Sequence, residues 1–171
     1  VDSHYKTPEQ DVLCPDGVAH FLEHKLFEQP DENALTTLTK LGASPNAFTS
    51  HTMTAYHFEA AENFYENLEV LLDFVSNPYF TDENVQKEQG IIGQEIDMVE
   101  DTPSWRAVNL LLQSLFSAHT VRRSIIGTKE TISRITPQTL YDCHKAFYSP
   151  KNMVLVVAGD CDMDRICELA E

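Results

Sequence analysis

A chain of 171 residues, 42% hydrophobic and 23% charged, is long enough for one domain with a real core and too apolar to be disordered. Twelve basic against 27 acidic side chains leave a formal charge of −15, which argues against a sequence-independent grip on nucleic acid or on an anionic membrane surface. No apolar run approaches the roughly 18 residues that span a bilayer, so neither nucleic acid nor membrane is expected as a partner.

Residues 1–18 are polar and turn-rich and read as a frayed strand followed by a loop. Helical spacing begins at Val18, with Phe21, Leu22 and Leu26 at offsets of three and four. Pro30 and Asp31 end that helix, and Asp31 is placed to cap a second one that Gly42 closes. Residues 43–61 are dense in Thr, Phe and Tyr, and Thr54, Tyr56 and Phe58 alternate with Ala55 and His57. One or two antiparallel strands are expected there. A third helix puts Phe64, Leu68, Leu71, Leu72 and Val75 on one face and stops at Pro78.

The next helix starts at Thr81 or Asp82 and carries Gly90 and Gly93. Each glycine costs roughly 1 kcal/mol inside a helix, so a close backbone approach is expected beside them. Pro103 opens a helix whose "LLLQSLF" is read as core, with Trp105 and Arg106 packing and capping. Short helices follow in "KETISRI" and, behind Thr136-Pro137, in "TPQTLYDCHKAFYS". "NMVLVVAG" reads as a buried strand, and a last helix starts near Asp162. Irregular alternation of this kind predicts an α+β fold, a mostly antiparallel sheet with helices packed on one side.

Within the first helix, "GVAHFLEHKLFEQ" puts His20 and His24 four residues apart, one above the other on the same face. Glu23 lies about 100° around the helix from His24 and points beside the place where the two imidazoles meet. A hydrolytic metal site needs this combination, with two neutral imidazoles for the ion and a carboxylate to take a proton from water. A third ligand has to come from elsewhere. Glu88 and Glu95, seven apart on the helix that begins at Thr81 or Asp82, share a stripe, and either could ligate while the other orients a histidine.

"HFLEH" is the inverted zinc motif, and its surroundings resemble the insulinase-like, or pitrilysin-type, zinc metallopeptidases, which include the mitochondrial processing peptidases. Five blocks carry the resemblance in order: "GVAHFLEHKLF", "LGASPNAFTSHTMTAYHF", "KEQGIIGQEIDMVED", "IIGTKETISRIT" and "FYSPKNMVLVVAGD". It implies that His20 and His24 bind Zn2+ with Glu95 as third ligand, that Glu23 is the general base, and that Glu88, seven before Glu95, is the supporting acid. Asn46 and Ala47 match the segment that lies along the substrate backbone as an added strand. The family's usual spacing to the ligand glutamate is a few residues longer, nearer Glu100 and Asp101. Glu95 is retained because the paired acids match there.

The resemblance further implies a zinc-dependent endopeptidase acting on peptides or unfolded polypeptides. Residues 1–171 would form a single zinc-bearing domain, a piece of a longer multi-domain protein, with a second homologous domain or subunit as partner. The alternative is a non-catalytic partner or peptide-binding subunit of the same fold. No basic segment followed by an apolar stretch opens the sequence, so a bacterial cytoplasmic location is expected. Cys14, Cys143, Cys161 and Cys167 form no CxxC pair and are expected as reduced thiols. His51 and His57 are expected to be structural or exposed and His144 to lie on a helix face, while His119, near Arg122 and Arg123, is a candidate contact for a substrate terminus.

Overall fold

Residues 3–6 and 11–171 are described by the computed structural model, so the part of the expected frayed start at residues 1, 2 and 7–10 lies outside the described residues. Strand β1 (Ser3–Lys6) pairs antiparallel with β2 (Asp11–Cys14), Tyr5 opposite Val12. A second ribbon joins β3 (Ala43–Thr49) to β4 (Thr54–Ala60), with Asn46 opposite His57 and Ala47 opposite Tyr56. Helices α1 (Val18–Leu26) and α2 (Ala34–Lys40) lie between the ribbons in sequence. After β4 come α3 (Phe64–Ser76), α4 (Asp82–Glu100), α5 (Pro103–Leu115), α6 (Lys129–Ser133), α7 (Pro137–Phe147) and α8 (Met163–Ala170). Class and strand direction are as the sequence predicts, an α+β arrangement with antiparallel pairing.

Helix starts follow local chemistry. Thr81, Thr128 and Thr136 each close a reciprocal cap with the residue three ahead, and Pro103 and Pro137 occupy first turns where no donor is lost. The second helix departs from expectation at its start, because Asn33 and not Asp31 caps it, accepting from the Leu35 amide at 2.9 Å. Gly42 closes that helix at φ +86°.

α1 runs through the centre of the core. Phe21, Leu22 and Leu26 are buried against Leu38, Phe74, Val85, Ile92, Ile96 and Leu140. Its first turn is set by two glycines from distant parts of the chain. Gly17, the residue before α1, has φ +92°, and a Cβ there would sit 2.6 Å from the Ile126 carbonyl oxygen. Gly127, at φ +80°, would place a Cβ 2.5 Å from the Asp16 carbonyl oxygen. Arg123 Nε adds an ion pair to Asp16 Oδ1 at 2.8 Å across the same junction.

Other expectations fail, and Trp105, expected to pack, is exposed. Residues 153–158 form no ladder, and Val154 and Val156 are 87% and 82% exposed. No described strand lies beside them, and an apolar run becomes a strand only when a neighbour takes its amides and carbonyls. "LLLQSLF" is not core either, since Leu110, Leu111 and Leu115 are exposed and α5 buries none of its residues. Gly90 and Gly93 meet no close backbone, because a Cβ at either would touch nothing within 4 Å. They instead flank a groove of about 290 Å³ between α4 and α6, also lined by Gln94, Asp97, Lys129 and Ile132. No described helix is long and apolar enough to cross a membrane.

Candidate metal centre

α4 packs against α1. Its inward stripe of Val85, Ile92 and Ile96 is interrupted by acids at 88 and 95. Two turns separate these acids, so both carboxyls reach α1 at different heights along the histidine face. Glu95 Oε1 lies 3.7 Å from His20 Nε2 and Glu95 Oε2 lies 3.9 Å from His24 Nε2. The imidazole centroids are 4.5 Å apart. One donor atom from each of His20, His24 and Glu95 falls within 4.8 Å of the others, and this is the only such group among the described residues.

Donors at 2.0–2.2 Å from a tetrahedral zinc ion stand about 3.4 Å apart. Taken one atom per residue, the donors lie up to 4.8 Å apart and have to draw together by up to about 1.4 Å to reach that geometry, and two nitrogens with one carboxylate oxygen suit the ion and leave a fourth position open. His20 supplies a further sign of fit. Burial, with the neighbouring His24 second, holds its imidazole down to about 4, so it is unprotonated at neutral pH and offers a lone pair. Its Nδ1 is buried with no hydrogen-bond partner among the described residues.

Glu88 does not join the donor group. Its Oε1 accepts from His24 Nδ1 at 2.9 Å, which turns His24 Nε2 toward Glu95. That bond, outweighing burial, raises the His24 pKa. Burial alone would raise the Glu88 pKa, yet the His24 bond and the charges of His24 and Lys25 leave it lowered. Glu100 and Asp101 at the end of α4 are exposed and stand outside the cluster.

Glu23 emerges from the same turn as His24, and its Oε2 accepts from the Thr49 hydroxyl at 2.5 Å. Thr49 closes β3 and also lies 3.2 Å from the Thr54 hydroxyl on β4. Behind them the Tyr56 and Tyr148 hydroxyls meet at 2.8 Å. Burial pushes Tyr148 up to about 12, so that pair stays protonated. Asn46 is exposed on β3 and its Oδ1 accepts from the Ala47 amide at 2.8 Å. β3 has β4 on one edge and no described strand on the other.

Two residues escaped the sequence reading. Lys25 is wholly buried, and the available signal was a cation four residues after Phe21 on an apolar stripe. Thr49 gave no signal, because only the folded ribbon brings it to Glu23. Elsewhere, His51 and His57 are exposed, His144 is buried on α7 with Nε2 donating to the Val75 carbonyl at 2.8 Å, and His119 Nδ1 accepts from the Val121 amide at 3.1 Å. All four cysteines are free.

Comparison with known proteins gives the family and the fold. The family model described as insulinase (peptidase family M16) matches residues 10–129, and that of the peptidase M16 inactive domain matches residues 134–171. A Bacillus subtilis protein named uncharacterized zinc protease YmfH is 51% identical over 155 residues, covering 91% of this chain and 36% of its own length. A Mycobacterium leprae protein, also named a zinc protease, is 32% identical over 158 residues, or 90% of this chain and 36% of itself. The chain thus spans about a third of these curated relatives. The crystal structure of an M16-like peptidase from Alicyclobacillus acidocaldarius superposes with a TM-score of 0.91 at 44% identity, over 97% of this chain and 39% of that one. Pitrilysin shares the fold at a TM-score of 0.77 and 24% identity, over 91% of this chain and 18% of its own. With 120 consecutive positions matched by one model and the histidine pair and paired acids inside that span, the chain belongs to the insulinase family of peptidases, family M16.

Proposed function

We propose that this chain is the zinc-bearing part of a metalloendopeptidase that hydrolyses peptides or unfolded polypeptides. The observation that carries the reading is the convergence of His20, His24 and Glu95 on one point, with Glu23 on the adjacent face of the same turn. His20, His24 and Glu95 would hold the ion, and the names of the relatives support zinc as its identity. When bound, zinc supplies Lewis-acid charge that polarises a carbonyl and acidifies water.

The chain's own residues do the rest. Glu23 takes a proton from the attacking water and passes it to the leaving amine, while Thr49 keeps Oε2 fixed so that the other oxygen faces the reacting atoms. Glu88 holds the His24 ring in register as the supporting acid. The free edge of β3, with Asn46 and Ala47, receives an extended substrate as an added strand. Residues 1–171 act as one domain of a longer protein, and a second homologous domain closes over the cleft. The relatives' greater length supports a longer protein, and the inactive-domain model that begins at residue 134 supports a further domain. The bacterial relatives support a bacterial source, and a cytoplasmic setting is part of the proposal.

Metal analysis of the purified protein tests the reading, together with cleavage of an unstructured peptide by the longer protein. About one equivalent of zinc per chain is expected, with cleavage lost to a chelator and regained on adding zinc. A protein that takes up no zinc, or that cleaves equally well when chelated, overturns it. Thr49→Val removes a hydrogen bond to a charged group, worth about 2 kcal/mol. Turnover by that variant is expected to fall about thirtyfold, with zinc content unchanged and Thr49→Ser restoring most of the rate.

A further inference from the structure

Lys25 is the most anomalous side chain in the core. It is 0% exposed on the stripe of α1 that also buries Phe21, Leu22 and Leu26. A buried ammonium is strongly unfavourable unless anions meet it, and two do. Glu28, three residues on and just past the end of α1, accepts directly from Lys25 Nζ. Glu88 Oε2 on α4 lies 3.7 Å from the same nitrogen. The other oxygen of that carboxylate, Oε1, is the one that accepts from His24 Nδ1. A continuous line of polar groups therefore runs from Glu28 through Lys25 and Glu88 to a metal-facing histidine.

Geometry makes the second contact matter. A glutamate held through one oxygen can still swivel about its carboxylate bond, and a swivel would let the His24 ring rotate away. With Oε1 bonded to His24 and Oε2 drawn by the Lys25 charge at 3.7 Å, the swivel of the carboxylate is opposed at both ends. Glu28 alone would satisfy Lys25 locally, so that pairing does not account for the cation's position beside Glu88.

We propose that Lys25 is a positioning residue of the metal centre. It anchors the Glu88 carboxylate so that Glu88 orients His24 toward the point shared with His20 and Glu95. The proposal rests on the zinc-site reading above. Lys25 does not touch the ion or substrate and acts only through Glu88. Partners one step beyond the ligands typically govern metal affinity by 10- to 100-fold, and a lysine acting through such a partner falls at the low end of that range.

The test uses this chain and zinc itself, in competition with a chromophoric chelator, alongside thermal unfolding of the metal-free variants and the visible spectrum of the Co2+ form. Lys25→Met is expected to weaken zinc binding about tenfold and to alter the Co2+ bands, with Lys25→Arg recovering most of both. Glu88→Gln weakens binding as well, and the double variant Lys25→Met/Glu88→Gln binds no worse than Glu88→Gln alone. Glu28→Gln, which leaves the Glu88 contact in place, keeps wild-type affinity and serves as the measurement if Lys25→Met does not fold. A folded Lys25→Met protein with wild-type affinity and spectrum overturns the role of Lys25 while leaving the zinc site intact. Additive losses in the double variant, or a Glu28→Gln protein that binds poorly, overturn it too. A wild-type chain that binds no zinc overturns the site reading itself and this inference with it.

Discussion

Glu23→Gln is expected to leave zinc affinity unchanged and to slow peptide cleavage about a thousandfold, the largest loss of activity expected of a variant that keeps its metal. The substitution is nearly isosteric, and a glutamine carbonyl can still accept the Thr49 hydroxyl that Glu23 Oε2 accepts now. Glu23 is outside the donor group formed by His20, His24 and Glu95, so the ion has no reason to leave. What disappears is a group able to take a proton. A thousandfold loss corresponds to about 4 kcal/mol in the barrier, within reach of one general base and beyond what a single neutral hydrogen bond contributes. Metal content and steady-state rates on the same preparation decide the matter. Zinc-loaded Glu23→Gln protein turning over at the wild-type rate would remove Glu23 from the mechanism and favour a peptide-binding role for the fold.

The second large effect concerns folding. Gly17→Ala asks a side chain to occupy φ +92° and to stand 2.6 Å from the Ile126 carbonyl oxygen. The left-handed backbone costs about 1–2 kcal/mol for an L-residue, and relieving a backbone clash adds about 1–3 kcal/mol. A loss of about 3 kcal/mol lowers the melting temperature of a chain this size by about 10 °C. Gly127→Ala should behave alike, since its Cβ would meet the Asp16 carbonyl oxygen at 2.5 Å. Zinc binding in Gly17→Ala falls as well, because the junction fixes the first turn of the helix that carries both histidines. Calorimetry with and without metal measures both. By contrast, Gly90→Ala, at a helix position with nothing within 4 Å, should stabilise by up to 1 kcal/mol, a control that separates crowding from the mere addition of a methyl group.

Legibility in the sequence followed the range of the interactions. The histidine helix and the paired-acid helix were readable because spacing along one helix states which residues share a face. Caps at Thr81 and Thr136 were readable for the same reason, since their partners lie within a turn. "NMVLVVAG" misled because its composition records apolarity and says nothing about whether a strand lies beside it. "LLLQSLF" misled in a related way, as an apolar face is visible in one dimension and what covers it is not. Spacing alone left Glu88 and Glu95 interchangeable. Only the three-dimensional offset between α1 and α4 separates a carboxylate on His24 Nδ1 from one facing both Nε2 atoms. Lys25 and Thr49 belong to this last group, their partners being on other elements.

The junction between Gly17 and Gly127 also sets an order of assembly. Helix α1 begins against a segment synthesised long after it, and its histidines find their acid on α4, also made later. Contacts so far apart along the chain close slowly because the intervening loop must first be restrained. A nascent chain on the ribosome would therefore display its histidine pair well before it could grip an ion, and affinity would mature only once the stretch through residue 127 has emerged and docked.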